Sequence, residues 1–171
     1  NVDRLLYNGP KPTIAAVNGP AIGAGCDFAL ACDMRVMDDD AYLRQQFVNI
    51  GLVPGDGGGW LLPRLVGESR AKEYLLTGRD ITAADAVDMG LAVESVDEDV
   101  VGAARDLANE LRDKPATAMR LTKSLVDVGR SFEEDAAEAV DAQWACVNDD
   151  EHAEAVRALN EGREPDFDRE Y

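Results

Sequence analysis

One segment near the start of the chain limits the possible folds more than any other. Residues 12–17 (PTIAAV) are a short apolar run that ends at Asn18-Gly19-Pro20, which predicts a buried strand followed by a turn. Gly23-Ala24-Gly25 comes next, and residues 26–32 (CDFALAC) predict a short buried helix. Residues 34–37 (MRVM) predict a second strand. A strand, a turn, a helix and a strand in this order indicate the α/β class.

The remaining sequence changes from glycine-rich to helical. Residues 42–43 and 47–50 are expected to be extended, residues 51–59 to form a loop whose glycines allow close backbone approach, and residues 60–66 to be helical. Beyond Gly67 the periodicity predicts a strand at 91–96 and helices over 68–76, 82–90, 100–112, 116–128, 131–148 and 150–160. Thr82 with Asp85, and Ser131 with Glu134, are typical of residues that cap a helix N-terminus.

Charge is the strongest global feature. The 171 residues carry 34 Asp and Glu against 17 Lys and Arg, a formal net charge of −17. Such a surface repels phosphate backbones, so the composition argues against a nucleic-acid partner. The acids are mostly Asp and the bases mostly Arg, spread along the whole chain, which favours adaptation to high salt over an ordinary acidic cytosolic protein. No apolar run approaches the 18 residues that a membrane span needs.

The cysteines and the single histidine exclude several kinds of site. Cys26, Cys32 and Cys146 are scattered and odd in number, without a C-x-x-C pair, so neither a disulfide framework nor a zinc site is supported. Buried thiols in a reducing cytoplasm are the expectation. His152 lies in a polar helical start, and a Ser-His-Asp triad would have to use it. We therefore expect no metal site and a cytoplasmic protein.

The glycine turn before the predicted helix has a possible chemical role. The first N–H groups of a helix have no intrahelical partner and carry partial positive charge. Small residues at 23–25 would let a substrate carbonyl approach them, which outlines an oxyanion hole. The alternative is that the glycines serve only tight packing of strand against helix.

Two aspartates are candidate acid/base residues. Asp27 lies in an otherwise apolar helix, where a carboxylate is costly to bury and is often catalytic. Alternatively, Asp27 is a supporting acid whose carboxylate accepts hydrogen bonds from backbone N–H groups. Asp56 lies among glycines in the second glycine-rich loop. It is a second acid/base at the same pocket, a loop acid that adopts the turn, or the N-cap of the helix containing Trp60.

These segments together resemble a known family. Residues 11–33 (KPTIAAVNGPAIGAGCDFALACD) and 50–58 (IGLVPGDGG) are similar to the two glycine-rich signatures of the enoyl-CoA hydratase/isomerase (crotonase) superfamily. Its later landmarks follow in order at 62–67, 76–86 and 90–92. The resemblance implies the C-terminal part of a spiral of ββα turns over residues 1–98, followed by a helical trimerisation region over residues 99–171.

The resemblance also implies what the chain binds. The substrate would be an acyl-CoA thioester, with coenzyme A present as part of the substrate and no permanently bound cofactor. The assembly would be a homotrimer or hexamer, with no nucleic acid and no membrane as partner. Family members usually carry a long segment before the position of Lys11, which holds the other oxyanion donor, so we expect an N-terminal part of the family's core to be missing here.

Residue by residue, the resemblance assigns Ala24 to the oxyanion hole and Asp27 to the first catalytic glutamate of hydratases. The second hydratase glutamate falls on Phe47. Asp56 resembles the aspartate before Gly-Gly in the dihydroxynaphthoyl-CoA synthase branch and would supply an acid/base from another direction. The residues implied to bind substrate are Ile22, Gly23, Gly25, Phe47, Pro54 and Gly55.

The function expected from the resemblance is enoyl-CoA hydratase, which adds water to a 2-enoyl-CoA to give a 3-hydroxyacyl-CoA. The loss of the second glutamate makes double-bond isomerisation, or another reaction through a thioester enolate, the alternative. A non-catalytic trimeric scaffold of the same fold is the alternative from a different class.

Overall fold

The structure is a computed structural model that describes residues 2–126 and 131–167. Its strands are β1 (Ile14–Val17), β2 (Ala21–Ile22), β3 (Met34–Asp38), β4 (Tyr42–Arg44), β5 (Asp80–Thr82) and β6 (Glu94–Val96). Its α-helices are α1 (Val2–Asn8), α2 (Ala24–Ala31), α3 (Gly58–Val66), α4 (Glu68–Thr77), α5 (Ala83–Asp88), α6 (Val100–Arg112), α7 (Ala116–Leu125), α8 (Phe132–Val147) and α9 (Asp150–Glu161), and a 3₁₀ helix spans Gln46–Ile50.

Two compact units divide the chain within α6. The first contains the residues up to Gly9 together with Thr13–Ala108, and the second contains Pro10–Pro12 and the residues from Asn109 onward. All six strands belong to the first unit. The domain boundary at 98/99 stays a prediction.

The strands of the first unit wind as a spiral. One sheet has the order β1-β3-β6 and the other the order β2-β4-β5. Consecutive strands therefore enter different sheets: β1 and β2, then α2, then β3 and β4. The pairs β1–β3 and β2–β4 are parallel, with Ala16 opposite Val36 and Ile22 opposite Arg44. Two strands and a helix per turn are the ββα spiral that the sequence predicted.

The core of the first unit lies between the sheets and α2, α3 and α4. Leu30 of α2, Leu43 of β4, Leu62 of α3 and Ile81 of β5 are all buried in one apolar cluster. Full burial of such a side chain stabilises a fold by about 1.5–3 kcal/mol. The apolar residues of the α2 segment are thus explained by a helix buried on most sides.

Arg35 secures the C-terminal end of α2 from inside the protein. Its side chain is 4% exposed. The guanidinium donates to the carbonyl oxygens of Ala29 at 3.0 Å and Cys32 at 2.7 Å, and also to Leu91 O. The last carbonyls of a helix are the negative end of its dipole, so a buried cation is favourable there. Arg35 therefore fixes α2, whose N-terminus carries the candidate site.

The second unit is helical, and helix caps define its elements. Ser131 and Glu134 form a reciprocal capping box at the start of α8, as predicted. Asp149 caps α9, and its Oδ2 accepts a hydrogen bond from Thr117 Oγ1 at 2.7 Å. The exposed large apolar side chains of α8 are Phe132, Val140, Trp144 and Val147.

The observed helices match the predicted ones to within a few residues, with three kinds of difference. Residues 47–50 were predicted to be extended, and this was wrong, because they belong to the 3₁₀ helix. Within that helix, Asn49 Nδ2 donates to the carbonyl oxygen of Gly78, the residue that ends α4, at 3.2 Å. The helix predicted over 116–128 ends at Leu125, and residues 127–128 lie outside the described residues. Helix α1 and strands β2 and β5 were not predicted, because segments this short show little periodicity.

In the ranges 2–126 and 131–167, no helix is both long enough and apolar enough to cross a membrane.

Candidate active site

The N-terminus of α2 is positioned by the pairing of β2 with β4. The ladder continues one residue beyond β2, where Gly23 N donates to Arg44 O at 2.9 Å. Gly23 then turns the chain with φ 59° and ψ −121°, a conformation that favours glycine. Ala24 is the first residue of α2, so its N–H has no acceptor within the helix. The turn therefore presents a backbone donor at the positive end of the helix dipole.

Asp27 lies in the first turn of the same helix and is completely buried. Its Oδ1 accepts a hydrogen bond from Gln45 Nε2 at 2.6 Å. Gly58, the first residue of α3, packs against this pair so closely that a Cβ at residue 58 would lie 2.1 Å from Asp27 Oδ1. A carboxylate is thus buried between the ends of α2, β4 and α3, where only a hydrogen-bonded acid is tolerated.

The neighbouring thiol shares this polar environment. Cys26 is fully buried, and Gln45 Nε2 lies 3.3 Å from its Sγ. Burial, followed by the negative charge of Asp27, raises the pKa of the Cys26 thiol to about 12. Cys26 is therefore a neutral packing residue and not a nucleophile.

Phe47 lies in the 3₁₀ helix that follows β4, and its ring faces the glycine turn. The Cζ atom is 3.7 Å from the position that a Cβ would take at Gly23. Phe47 is half-buried, and its carbonyl oxygen accepts a hydrogen bond from Leu52 N at 2.9 Å. The position of the second hydratase glutamate is thus occupied by an aromatic ring beside the candidate oxyanion hole.

Asp56 is close in sequence to α3 but does not cap it. The N-cap residue is Gly57, and α3 has no side-chain cap, so the expected alternative of Asp56 as N-cap was wrong. The Asp56 side chain is half-buried and makes no hydrogen bond or ion pair within residues 2–126 and 131–167. It is therefore available to another group.

An open groove of about 260 Å³ lies between α2 and the segment of residues 15–21. Its lining includes Val17, Gly19, Gly25, Phe28 and Cys32. Of the predicted site residues, only Gly25 reaches this groove. Ile22 is 38% exposed, and Pro54 packs 4.0 Å from the position of a Cβ at Gly59.

The structure therefore brings some predicted residues together and leaves others apart. Gly23, Ala24 and Asp27 share one turn, and Phe47 contacts Gly23. Asp56 makes no hydrogen bond to Asp27.

Gln45 was missed by the sequence reasoning. A signal for it was present, because Ala41, Leu43 and Gln45 alternate as buried positions and Gln45 is the polar one. An amide buried directly after a strand needs a buried partner, and that partner is Asp27.

Comparison with known proteins supplies the decisive observation. The sequence model of the family described as "Enoyl-CoA hydratase/isomerase" matches residues 1–170. The chain belongs to the enoyl-CoA hydratase/isomerase family. The crystal structure of an enoyl-CoA hydratase from Bacillus anthracis superposes with a TM-score of 0.92 at 31% identity, covering 96% of this chain and 65% of that one. The crotonase-type fold that the sequence predicted is thereby confirmed.

Curated relatives of this family give the same result. The crotonyl-CoA hydratase of Syntrophomonas wolfei is 36% identical over 169 residues, which is 97% of this chain and 65% of the relative. The short-chain-enoyl-CoA hydratase of Clostridium acetobutylicum is 34% identical over 156 residues, 90% of this chain and 60% of the relative. The chain thus spans less than two thirds of the length of these family members.

Proposed function

We propose that the protein is an acyl-CoA enzyme that stabilises a thioester enolate, and that its main reaction is the hydration of a 2-enoyl-CoA. The observation that carries this proposal is the pairing of Ala24 and Asp27 on one helical turn, a backbone donor and a carboxylate three residues apart. Relatives named crotonyl-CoA hydratase and short-chain-enoyl-CoA hydratase support the substrate class.

In this reaction the thioester carbonyl accepts a hydrogen bond from the Ala24 N–H. A water oxygen bonds to the β-carbon while Asp27 takes one proton from that water. The electron pair of the double bond moves to the carbonyl oxygen, where the helix N-terminus stabilises the developing charge. The proton held on Asp27, or one supplied by Asp56, then goes to the α-carbon and completes the 3-hydroxyacyl-CoA.

Double-bond isomerisation is the second candidate, and Phe47 is the observation that favours it. An aromatic ring at the Gly23 turn leaves position 47 without the carboxylate that would share the attacking water. Asp27 or Asp56 would remove a proton from the α-carbon of a 3-enoyl-CoA, and the resulting dienolate would take a proton at the γ-carbon. Both reactions use the same oxyanion donor.

The protein's assembly is also part of this proposal. Val140 is 56% exposed and Trp144 is 63% exposed on α8, and these side chains lie four residues apart on one helical face. Exposed apolar side chains in contiguous rows mark association surfaces. We expect a homotrimer or a hexamer, and light scattering that found only monomers would contradict this expectation.

A cytoplasmic location is also part of this proposal. Cys26, Cys32 and Cys146 form no disulfide within the described ranges. Cysteines that do not form disulfides are typical of a reducing compartment.

The test is to assay the complete encoded protein with crotonyl-CoA and with a 3-enoyl-CoA, in high salt. We expect hydration of crotonyl-CoA to be the faster reaction. The Asp27→Asn variant is expected to lose at least about 100-fold in turnover while its circular dichroism is unchanged. Absence of turnover of either thioester by the unmodified protein would favour a non-catalytic scaffold, and full activity of the Asn variant would exclude Asp27 as the base.

A further inference from the structure

The buried amide of Gln45 is not explained by packing alone. Its side chain is 1% exposed, at an inward-facing position after β4 where Leu43 precedes it. An apolar residue of similar length would fill the same space without a hydrogen-bonding requirement. Gln45 instead brings two donors and one acceptor into the core, and each must be satisfied or costs free energy.

The orientation of this amide is set by Asp27. Nε2 lies 2.6 Å from Asp27 Oδ1 and 3.3 Å from Cys26 Sγ, so both of its hydrogens face acceptors. The reverse orientation would place Oε1 against a carboxylate oxygen, two acceptors facing each other. Within the described ranges, Gln45 Oε1 is buried and has no hydrogen-bond partner. The Gln45 amide therefore donates to the carboxylate while its own oxygen stays without a hydrogen bond, which is unfavourable for a buried acceptor.

A third group restricts the carboxylate from the opposite element. A Cβ at residue 58 would lie 2.1 Å from Asp27 Oδ1 and 2.6 Å from Gln45 Nε2. The glycine backbone at the start of α3 thus closes over the hydrogen bond itself. Little space remains for another side-chain conformation of Asp27.

We propose that Gln45 is the positioning residue that holds the Asp27 carboxylate in one orientation for proton transfer. The inference rests on the proposed function, in which Asp27 is the acid/base. A base held in a fixed direction transfers a proton more efficiently than one that samples several conformations. Gln45 itself exchanges no proton and contacts no substrate.

The experiment compares Gln45→Met with Gln46→Met. Methionine matches the length of glutamine and packs readily in cores, but donates no hydrogen bond. Gln46 is a matched control, because its Oε1 is also buried without a partner in the described part of the chain and it makes no bond to Asp27. We expect Gln45→Met to lower kcat for crotonyl-CoA by about 10- to 100-fold with KM changed less than about threefold. Gln46→Met should leave both constants near those of the unmodified protein.

The outcomes separate this inference from the proposed function. Turnover by the unmodified protein, loss in Asp27→Asn and undiminished kcat in a folded Gln45→Met variant would overturn the role of Gln45 alone. Full turnover in Asp27→Asn would overturn the proposed function first. If Gln45→Met does not fold, Gln45→Asn tests the loss of the same hydrogen bond, because its amide is one methylene too short to reach Asp27. Failure of both variants to fold would assign Gln45 a structural role and overturn the positioning role.

Discussion

The ring of Phe47 packs against the turn at Gly23, with Cζ 3.7 Å from the position of a Cβ at that glycine. Gly23 immediately precedes the backbone donor at Ala24, so the ring adjoins the place proposed for the thioester carbonyl. An aromatic side chain there excludes water and carries no charge. We expect this contact to determine whether the protein favours hydration or isomerisation.

Phe47→Glu is therefore expected to shift the protein toward hydration. A carboxylate at position 47 would lie beside the same turn and share the attacking water with Asp27. We expect the ratio of crotonyl-CoA hydration to 3-enoyl-CoA isomerisation to rise at least about 10-fold, measured by product chromatography. Phe47→Leu is the matched control that keeps the site apolar and should leave the ratio unchanged. Equal ratios in all three proteins would contradict this role.

Asp56→Asn tests the second acid. The Asp56 carboxylate is half-buried without a hydrogen bond among the described residues, so it is available for proton transfer. If it returns the proton to the substrate, kcat should fall about 100-fold with little change in thermal stability. Asp39→Asn, at an exposed acid of the β3–β4 turn, is the control. Unchanged kcat in Asp56→Asn would leave Asp27 as the proton donor and acceptor.

Gly58→Ala tests the close approach of α3 to the candidate site. The added Cβ would overlap Asp27 Oδ1 at 2.1 Å, and buried overpacking costs about 1–3 kcal/mol. We expect a lower melting temperature and a loss of kcat. Gly59→Ala is the matched control one residue along α3, because its nearest neighbour is Pro54 Cβ at 4.0 Å. Equal melting temperatures and equal kcat values in the two variants would show that the close approach of Gly58 to Asp27 affects neither stability nor turnover.

Cys26 is expected to make the stability of the protein sensitive to alkaline pH. Burial raises the pKa of its thiol from 9.0 to about 12 in the folded state. Below about pH 9 the thiol is protonated in both states, whereas above it only the unfolded chain releases the proton, so stability falls as pH rises toward 12. Between pH 8 and 10 this contribution amounts to about 1 kcal/mol.

The measurement is urea unfolding at pH 8 and pH 10 for the unmodified protein and for Cys26→Ala. The alanine variant loses packing at both pH values, but its stability should decline less between them. Identical declines would show that the Cys26 thiol does not titrate differently in the two states.

Salt should control folding and assembly together. A net charge of −17 repels itself over a Debye length of about 30 Å at 0.01 M salt, but over only about 3 Å at 1 M. Dialysis from molar to low millimolar potassium chloride should reduce both helicity, measured by circular dichroism, and oligomer size, measured by light scattering. Sucrose at matched osmolality is the control for a general osmolyte effect. Constant helicity and size across the range would contradict an adaptation to salt.

The sequence predicted the parts of the fold that depend on contiguous residues. The glycine turn at residues 23–25, the buried helix that follows it and the capping of α8 by Ser131 are local patterns, and each was confirmed. The 3₁₀ helix at residues 46–50 was not predicted, because Asn49 within it bonds to Gly78, which lies 29 residues away in the chain. The role of Gln45 was missed for the same reason, since its partner Asp27 lies 18 residues earlier in the chain.

The buried arginine at the end of α2 has a consequence for the order in which the protein forms. Arg35 joins the carbonyls of α2 to that of Leu91, a residue 56 positions later in the chain. Contacts at such sequence separation form late, since a long loop must first be closed. A peptide of residues 11–33 would therefore contain the whole glycine signature and still lack a rigid donor at Ala24. The turn proposed for catalysis is therefore expected to become rigid only when the spiral is complete, and a nascent chain should acquire it only after residue 91 has been synthesised.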